Sequence, residues 1–396
     1  MRYFLARTDL TPLIYLPKVL VTLTIPIMLS VHGRVNRGFV IGVSIVALAF
    51  MWGVLNLSSI DQVLFGLWVL VPLIYGLLVA TFVLDNPSAY KRIFMFLFAI
   101  TALGVLLNPL LHYPWVGETL DIGGVSVEVS RKWSTFGIDR YAGFSSASFD
   151  AASQLLVFAI WLVTTLRSKL YKFLLWMVAG AGITLTTSKG PLVTYLLITL
   201  FFISGALYRY RKSWRQLWTI VLSAIATMMM LLPLSTLLVR YDLRINSYTG
   251  KLLFASFGDR LEWMWPDSLK LLKEPWQWIV GIGLGGIGAP QQYFDLTKYL
   301  AADNLFVYLC VDFGILIAIM LIVAIIYVVT KNTSYSTNQY QLVFAIVLAT
   351  ISYGVVSNVI ENPVLVLFAA MALTVSRSRR MHLMNKHMHI HLDTNK

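Results

Sequence analysis

The sequence predicts an all-α polytopic integral membrane protein with about 11–12 transmembrane helices and two long loops on one side of the membrane. Hydrophobic residues make up 58% of the chain and charged residues 12%, and the mean hydropathy is +0.75. Many apolar stretches reach the roughly 20 residues that a helix needs to cross hydrocarbon. We therefore treat residues 1–396 as a single transmembrane unit without a soluble domain.

Eleven apolar segments are predicted as spans. They lie at residues 11–31, 38–57, 60–84, 90–111, 149–166, 170–187, 190–208, 216–238, 303–330, 341–357 and 361–375. The first contains Pro12, Pro17 and Lys18, so a re-entrant segment or one additional short span is the alternative at this end.

Arginine and lysine predict the orientation, because they concentrate on alternate connections. The first group of connections carries Arg34, Arg37, Lys91, Arg92, Arg167, Lys169, Lys172, Arg209, Arg211, Lys212, Arg215, Lys331, Arg377, Arg379 and Arg380. The short loops of the other side carry only Lys189. By the positive-inside rule the first group faces the cytoplasm, with a cytoplasmic tail at 377–396 and, for eleven spans, Met1 outside.

The net charge of +13 is thus partly topological, which argues against a nucleic-acid partner. The two long outer loops, at 112–148 and 239–302, are nevertheless basic. Long loops are translocated largely regardless of charge, so these cations predict an anionic ligand at the outer face. A solvated surface in contact with lipid headgroups is the alternative reading.

The second outer loop predicts an amphipathic helix in two pieces over residues 257–276. Apolar residues recur there at helical spacing, and Pro266 allows a break. Such a helix fits the membrane interface, as a lid or a lipid entrance. The following run Gly281–Gly288 formally matches a dinucleotide motif but has no βαβ context, so we expect its glycines to allow close backbone approach or flexible re-entry into the membrane.

Four ionisable residues are predicted near the outer membrane surface. Buried ionisable residues are costly and mark function by default, although each is also a plausible interfacial anchor. They are Lys189, Asp303, Asp312 and Glu361. The single Cys310 rules out an intrachain disulfide. No histidine–carboxylate cluster with zinc spacing exists, and the histidines at 382, 387, 389 and 391 are assigned to the cytoplasmic tail and not to a metal site, so no metal or other cofactor is predicted.

Several short motifs resemble the O-antigen polymerase and ligase superfamily. They are Arg140-Tyr-Ala-Gly143, Thr187-Ser-Lys-Gly190, Gly258-Asp-Arg-Leu-Glu-Trp-Met-Trp265 with Pro275, Gly281-Ile-Gly-Leu-Gly285, and Asp303-Asn-Leu-Phe-Val-Tyr-Leu309 with Gly314. The similarity covers about Arg140 to Gly314, and the overall plan extends it to the whole chain.

This resemblance implies a metal-independent, inverting glycosyltransferase of the bacterial inner membrane that acts on its periplasmic face. Polymerases of the family join undecaprenyl-pyrophosphate-linked repeat units into a polysaccharide. Ligases transfer the finished chain to lipid A core. By matching position, Arg140 and Arg260 carry over as pyrophosphate ligands. Lys189 stands where ligases have arginine, which keeps the charge but loses the paired donors.

Asp303 departs from the ligase pattern, in which a histidine precedes the asparagine. Two readings stay open: a base with a raised pKa that accepts the proton of an acceptor hydroxyl, or a partner in an ion pair with an arginine. Lys189, Arg240 and Arg244 are further candidates for stabilising the leaving pyrophosphate. Asn304 and Trp263 are predicted to position the substrate.

The predicted function is polymerisation of surface polysaccharide. The partners are an undecaprenyl-pyrophosphate-linked oligosaccharide and membrane lipids, with a polysaccharide chain-length regulator as a further candidate. An O-antigen ligase is the alternative within the same class. A flippase for lipid-linked sugars, or a structural scaffold, is the alternative outside it. A flippase predicts paired broken helices in two repeated halves, whereas the sequence shows no repeat.

Overall fold

The computed structural model describes residues 2–6, 8, 11–32, 37–122, 125–135, 137–207, 211–243, 247–295, 297, 299–331 and 337–373. The protein is 75% helical. Its helices are α1 Arg2–Ala6, α2 Leu16–His32, α3 Arg37–Asn56, α4 Ile60–Asp85, α5 Lys91–Leu107, α6 Ser148–Thr165, α7 Lys169–Leu185, α8 Lys189–Leu207, α9 Arg211–Ser235, α10 Tyr248–Asp259, α11 Trp265–Leu269, α12 Pro275–Val280, α13 Ala289–Phe294, α14 Leu305–Phe313, α15 Ile315–Lys331, α16 Thr337–Gly354 and α17 Pro363–Leu373. Short 3-10 turns lie at Thr11–Tyr15 and Val359–Glu361, and a π-helical turn at Arg260–Met264.

Apolar side chains on the outside of the bundle support the predicted membrane character. Large hydrophobic residues such as Leu55 (75% exposed) and Met320 (69% exposed) face outward. A water-soluble protein rarely exposes apolar surface on this scale. Among the described residues, six helical segments are long and apolar enough to cross a membrane: Leu13–Ser30, Phe39–Asn56, Ile60–Ala80, Ser148–Thr165, Lys189–Leu207 and Lys212–Ser235. The all-α membrane class is confirmed, whereas the count of eleven to twelve stays a prediction.

Three helices form the centre of the molecule. In the apolar segment Ser148–Thr165, which is α6, 72% of the residues are buried, whereas in Leu13–Ser30, which includes most of α2, none is buried. Every residue of α14 is buried, and α16 packs against α6, α8 and α9. Helices that are apolar all round either fill a core or face lipid. The central helices do the first and the outer helices the second.

The predicted ninth span, at 303–330, is wrong as a single helix. The chain breaks at Gly314, which has a φ of +87°, and continues as α15. A side chain on Gly314 would collide with the backbone carbonyl of Ile279 at the end of α12. Hydropathy does not reveal this break, because the residues on both sides of Gly314 are apolar. The close approach of α12 requires a glycine at this position.

The glycine run is a buried loop between α12 and α13. Gly281, Gly283, Gly285 and Gly288 all have positive φ. Its polar backbone is satisfied by other segments: Leu284 N–H donates to Ala49 O (2.9 Å), and the Asp312 carboxylate accepts from Gly286 N–H (3.0 Å). The glycines therefore allow close approach of protein backbone, which is one of the two predicted readings. The Asp312 carboxylate therefore holds this loop in place by accepting from its backbone N–H groups.

The long loop at 112–148, predicted to lie outside, contains two antiparallel hairpins that hydropathy does not predict. Strands β1 (Thr119–Ile122) and β2 (Val125–Glu128) pair with each other, as do β3 (Trp133–Thr135) and β4 (Ile138–Arg140). The sequence Gly123-Gly124 separates the paired residues Ile122 and Val125, which is a recognisable hairpin signal. The second hairpin matters most, because it carries Arg140.

The amphipathic segment of the second outer loop is partly as predicted. A helical stretch begins at Tyr248, earlier than expected, and passes through the π-helical turn into α11, with Pro266 in the first turn of α11. Trp265 and Leu269 are fully buried against the core formed with α9 and α14, whereas Trp276 is exposed. The apolar face is therefore covered by protein at Trp265 and Leu269, whereas the place of the segment at the membrane interface stays a prediction.

Candidate functional site

One large cavity, of about 2500 Å³, brings together four of the eight predicted site residues: Arg140, Lys189, Arg260 and Asp303. Its polar part is formed by the second hairpin, the α7–α8 turn, the π-helical turn and the segments before α14 and α17. Helices α2, α4 and α5 supply apolar walls, with residues such as Val21, Trp68 and Ile100. The cavity therefore joins a charged region to an apolar one.

Arg140 reaches this cavity from the last strand of the second hairpin. It pairs with Trp133 across β3 and β4, and its guanidinium lies 5.6 Å from the centre of the indole ring. Arg131 lies at the same distance from that ring. Burial, together with the positive charge of Arg260, lowers the pKa of Arg140. Two guanidinium groups thus lie close to one exposed indole ring.

Lys189 enters the cavity from the tight turn between α7 and α8. The turn is held by Thr186, whose hydroxyl donates to Ile183 O (2.7 Å) and accepts from Ser188 N–H (3.3 Å). Thr187 has a φ of +50°, an uncommon conformation for a β-branched residue. The charges of Arg140 and Arg260 both act on Lys189, so the three cations belong to one electrostatic cluster.

Arg260 and Asp303 form an ion pair in the cavity. Arg260 Nη2 donates to Asp303 Oδ2 (2.7 Å), and Nη1 donates to Ser256 O. Asp303 has a φ of +35°, and its carbonyl accepts from the Trp265 indole (3.3 Å). Burial raises the pKa of Asp303, while Arg260 acts in the opposite direction. Of the two readings left open by the sequence, the geometry favours the ion pair.

Backbone strain also concentrates here. Among the described residues, Thr187 and Asp303 are the non-glycine positions with positive φ. Such strain costs about 1–3 kcal/mol per residue and clusters at functional sites. Arg260 is the first residue of a π-helical turn, a deviation from regular α-helix that is also common at functional sites. Three irregularities therefore surround one group of cations.

Two of the arginines present unused donors. The Nε atoms of Arg140 and Arg260 are buried and have no hydrogen-bond partner in the structure. Buried donors are almost always paired, and a guanidinium matches the oxygens of phosphate. These two nitrogens therefore indicate a site for an oxyanion.

The other predicted residues lie elsewhere. Trp263 and Arg240 are exposed and do not line the cavity, and Arg244 lies outside the described residues. Asn304 is fully buried: its amide donates to Met229 O (3.2 Å) and Val355 O (3.0 Å), and its Oδ1 caps α14 by accepting from Val307 N–H. The structure does not bring Asn304 to the substrate side, because these backbone groups use its amide.

Asn304→Ala is therefore expected to destabilise the protein. It removes a helix cap and leaves two buried carbonyls unsatisfied, with an expected cost of about 2–4 kcal/mol. Thermal unfolding of the purified variant measures this, with Ser247→Ala, which removes the exposed cap of α10, as the control. An unchanged unfolding temperature for Asn304→Ala contradicts the assignment.

Glu361, Tyr299 and Arg131 also line the cavity, although none was predicted as a site residue. The sequence predicts Glu361 only as an ionisable residue near the outer membrane surface. Its signal was the sequence Asn358-Val-Ile-Glu-Asn362, in which polar residues interrupt an apolar region. Arg131 had a comparable signal, since it stands beside Trp133 in the same loop as Arg140.

Comparison of the chain with protein-family models, with curated proteins and with solved structures finds no match.

Proposed function

We propose that this protein is a polysaccharide polymerase of the bacterial inner membrane. It would transfer a glycan from a polyprenyl-pyrophosphate carrier to the hydroxyl of a second lipid-linked repeat unit, in a site open to the periplasm. The observation that carries the proposal is the convergence of Arg140, Lys189 and Arg260 on one cavity with apolar walls. The family resemblance of these motifs supports the same reaction.

The charges fit the leaving group. A lipid pyrophosphate has several anionic oxygens joined to a long apolar chain, and the cavity offers cations next to apolar helices. When the sugar C1–O bond breaks, negative charge develops on the pyrophosphate. Fixed positive groups in a site with little water stabilise such charge strongly. Arg140 and Arg260 would supply paired donors and Lys189 a point charge.

Asp303 has a positioning role in this scheme. Its carboxylate engages Nη2 of Arg260 at 2.7 Å, while the buried Nε of the same guanidinium has no partner. The ion pair thus fixes the orientation of Arg260 and leaves a donor for the ligand. The mechanism needs no metal ion or other cofactor.

Purified full-length protein in nanodiscs tests the proposal. Given native undecaprenyl-pyrophosphate-linked repeat units alone, it is expected to produce a ladder of longer lipid-linked glycans. Transfer that occurs only after lipid A core is added identifies a ligase instead. Movement of the lipid across vesicles without any new glycosidic bond identifies a transporter and refutes the proposal.

A further inference from the structure

The turn before α17 is built rigidly at the edge of the cavity. Asn358 Oδ1 accepts from Ile360 N–H (3.1 Å), and Asn362 Oδ1 caps α17 by accepting from Leu365 N–H (3.0 Å). The Asn362 amide also donates to Asp150 on α6 (3.3 Å). A turn fixed at both ends presents the side chain between them, Glu361, in one place.

The Glu361 carboxylate is held without a cation in contact. Its Oε1 accepts from Ala289 N–H (2.7 Å) at the start of α13. Gly288 has a φ of +79°, and a side chain there would collide with the same oxygen. The structure contains no lysine or arginine nitrogen within ion-pair distance of Glu361 among its described residues. Glu361 therefore differs from Asp303, whose carboxylate is occupied by Arg260.

An unused donor lies on the same turn. The Asn358 side chain is only 8% exposed and lines the cavity. Its amide nitrogen has no partner at full hydrogen-bond geometry, although the side chain lies close enough to the Glu361 carboxyl to lower its pKa. A carboxylate beside an unpaired amide donor matches the neighbouring oxygens of a sugar, one hydroxyl donating and another oxygen accepting. The turn therefore offers a carboxylate that is not paired with a cation and an amide donor, neither of which the cation cluster provides.

We infer that the turn Val359–Glu361, with Asn358, forms the subsite for the acceptor glycan, and that Glu361 is the catalytic base. This inference rests on the proposed glycosyl transfer. In this scheme the acceptor hydroxyl binds at Glu361, and the pyrophosphate of the donor binds at Arg140, Lys189 and Arg260.

The step balances as an inverting displacement. The acceptor hydroxyl oxygen forms a bond to C1 of the donor sugar and passes its proton to Glu361. The C1–O bond to pyrophosphate breaks, and its electron pair leaves with the pyrophosphate, which the cations stabilise. The proton on Glu361 then passes to water before the next turnover.

The electrostatic setting of Glu361 suits a base near neutral pH. Burial raises its pKa to about 7, and the Asp303 charge acts in the same direction, while the Ala289 N–H, Arg131 and the Asn358 side chain act in the opposite direction. The titratable or charged groups that act on Glu361, by element, are Arg131 before β3, Tyr299 and Asp303 before α14, and Tyr308 and Asp312 on α14. Asp61 on α4, Asp150 on α6 and Tyr353 on α16 line the same cavity. The active, ionised form increases as pH rises through about 7.

The test compares wild type, Glu361→Gln and Glu361→Asp as full-length protein in nanodiscs with the lipid-linked glycan. Glu361→Gln is expected to lower kcat about 100-fold or more, with KM changed less than about threefold, because general bases contribute 10²–10⁴-fold. The rise of kcat through pH 7 in wild type should be absent from the variant, and Glu361→Asp should recover part of the rate. Asp139→Asn, an exposed carboxylate outside the cavity, is the matched control.

The outcomes separate two failures. If wild type transfers glycan and Glu361→Gln keeps its rate and its pH profile, Glu361 is not the base and the proposed function stands. If wild type forms no glycosidic bond with any acceptor, the proposed function and this inference both fall. Binding of inorganic pyrophosphate to Glu361→Gln, equal to that of wild type, shows that a slow variant is folded.

Discussion

Replacing Arg260 with alanine is expected to lower glycan transfer about 100- to 1000-fold, and Arg140→Ala to lower it by a similar factor. In the proposed reaction, each substitution removes a guanidinium that stabilises the developing charge on the pyrophosphate. Arg260→Ala also leaves the Asp303 carboxylate without its partner, so that its negative charge is uncompensated where the proposed ligand is anionic. Arg260→Lys should be intermediate, because an ammonium keeps the charge but loses the paired donors.

Polymer length in cells that express each variant measures this effect, with protein levels determined in parallel. Lys132→Ala is the matched control for Arg140, since both lie in the second hairpin region and Lys132 is exposed outside the cavity. Lys251→Ala, exposed on α10, serves the same purpose for Arg260. If Arg140→Ala and Arg260→Ala both give wild-type polymer at normal protein levels, the cation cluster is not the donor site.

Gly283→Ala is expected to be the most damaging substitution for the fold. Gly283 has a φ of +100°, and an added Cβ would collide with the backbone of Gly53 on α3. Strain from the left-handed conformation and overpacking against rigid backbone together cost about 2–6 kcal/mol. Backbone cannot move aside as the end of a side chain does, so the upper part of this range is expected.

Gly137→Ala provides the control for Gly283→Ala. Gly137 also has a positive φ, of +78°, but an added Cβ there meets nothing within 4 Å. The control should lose only about 1–2 kcal/mol from the left-handed conformation. Thermal unfolding followed by tryptophan fluorescence compares the two variants. Equal unfolding temperatures would show that the buried loop adapts, against the expectation from its contacts.

The sequence could predict which charges share a side, but not which face of an element they occupy. The distribution of positive residues and the hydropathy of the spans predict that Arg140, Lys189, Arg260 and Asp303 lie on the same side of the membrane. In the structure all four line one cavity. Asn304 follows Asp303 directly, yet its amide points into the core to cap α14. Adjacent residues face different environments, and a short motif does not contain that information.

Features that depend on contacts between distant segments were also beyond the sequence. The break at Gly314 requires the backbone of α12 to approach it, and the orientation of the apolar face of α11 depends on α9 and α14. Glu361 lines the cavity because α13 and the turn that carries Glu361 meet there. Periodicity and composition report local structure, whereas these features come from tertiary packing.

The dispersed origin of the cation cluster limits how its chemistry can be exchanged between proteins. Arg140 comes from a hairpin, Lys189 from an interhelical turn and Arg260 from the second outer loop. Grafting the second outer loop onto another scaffold would carry Arg260 without the other two charges. A chimera that is to contain the whole cation cluster must therefore include all three segments together.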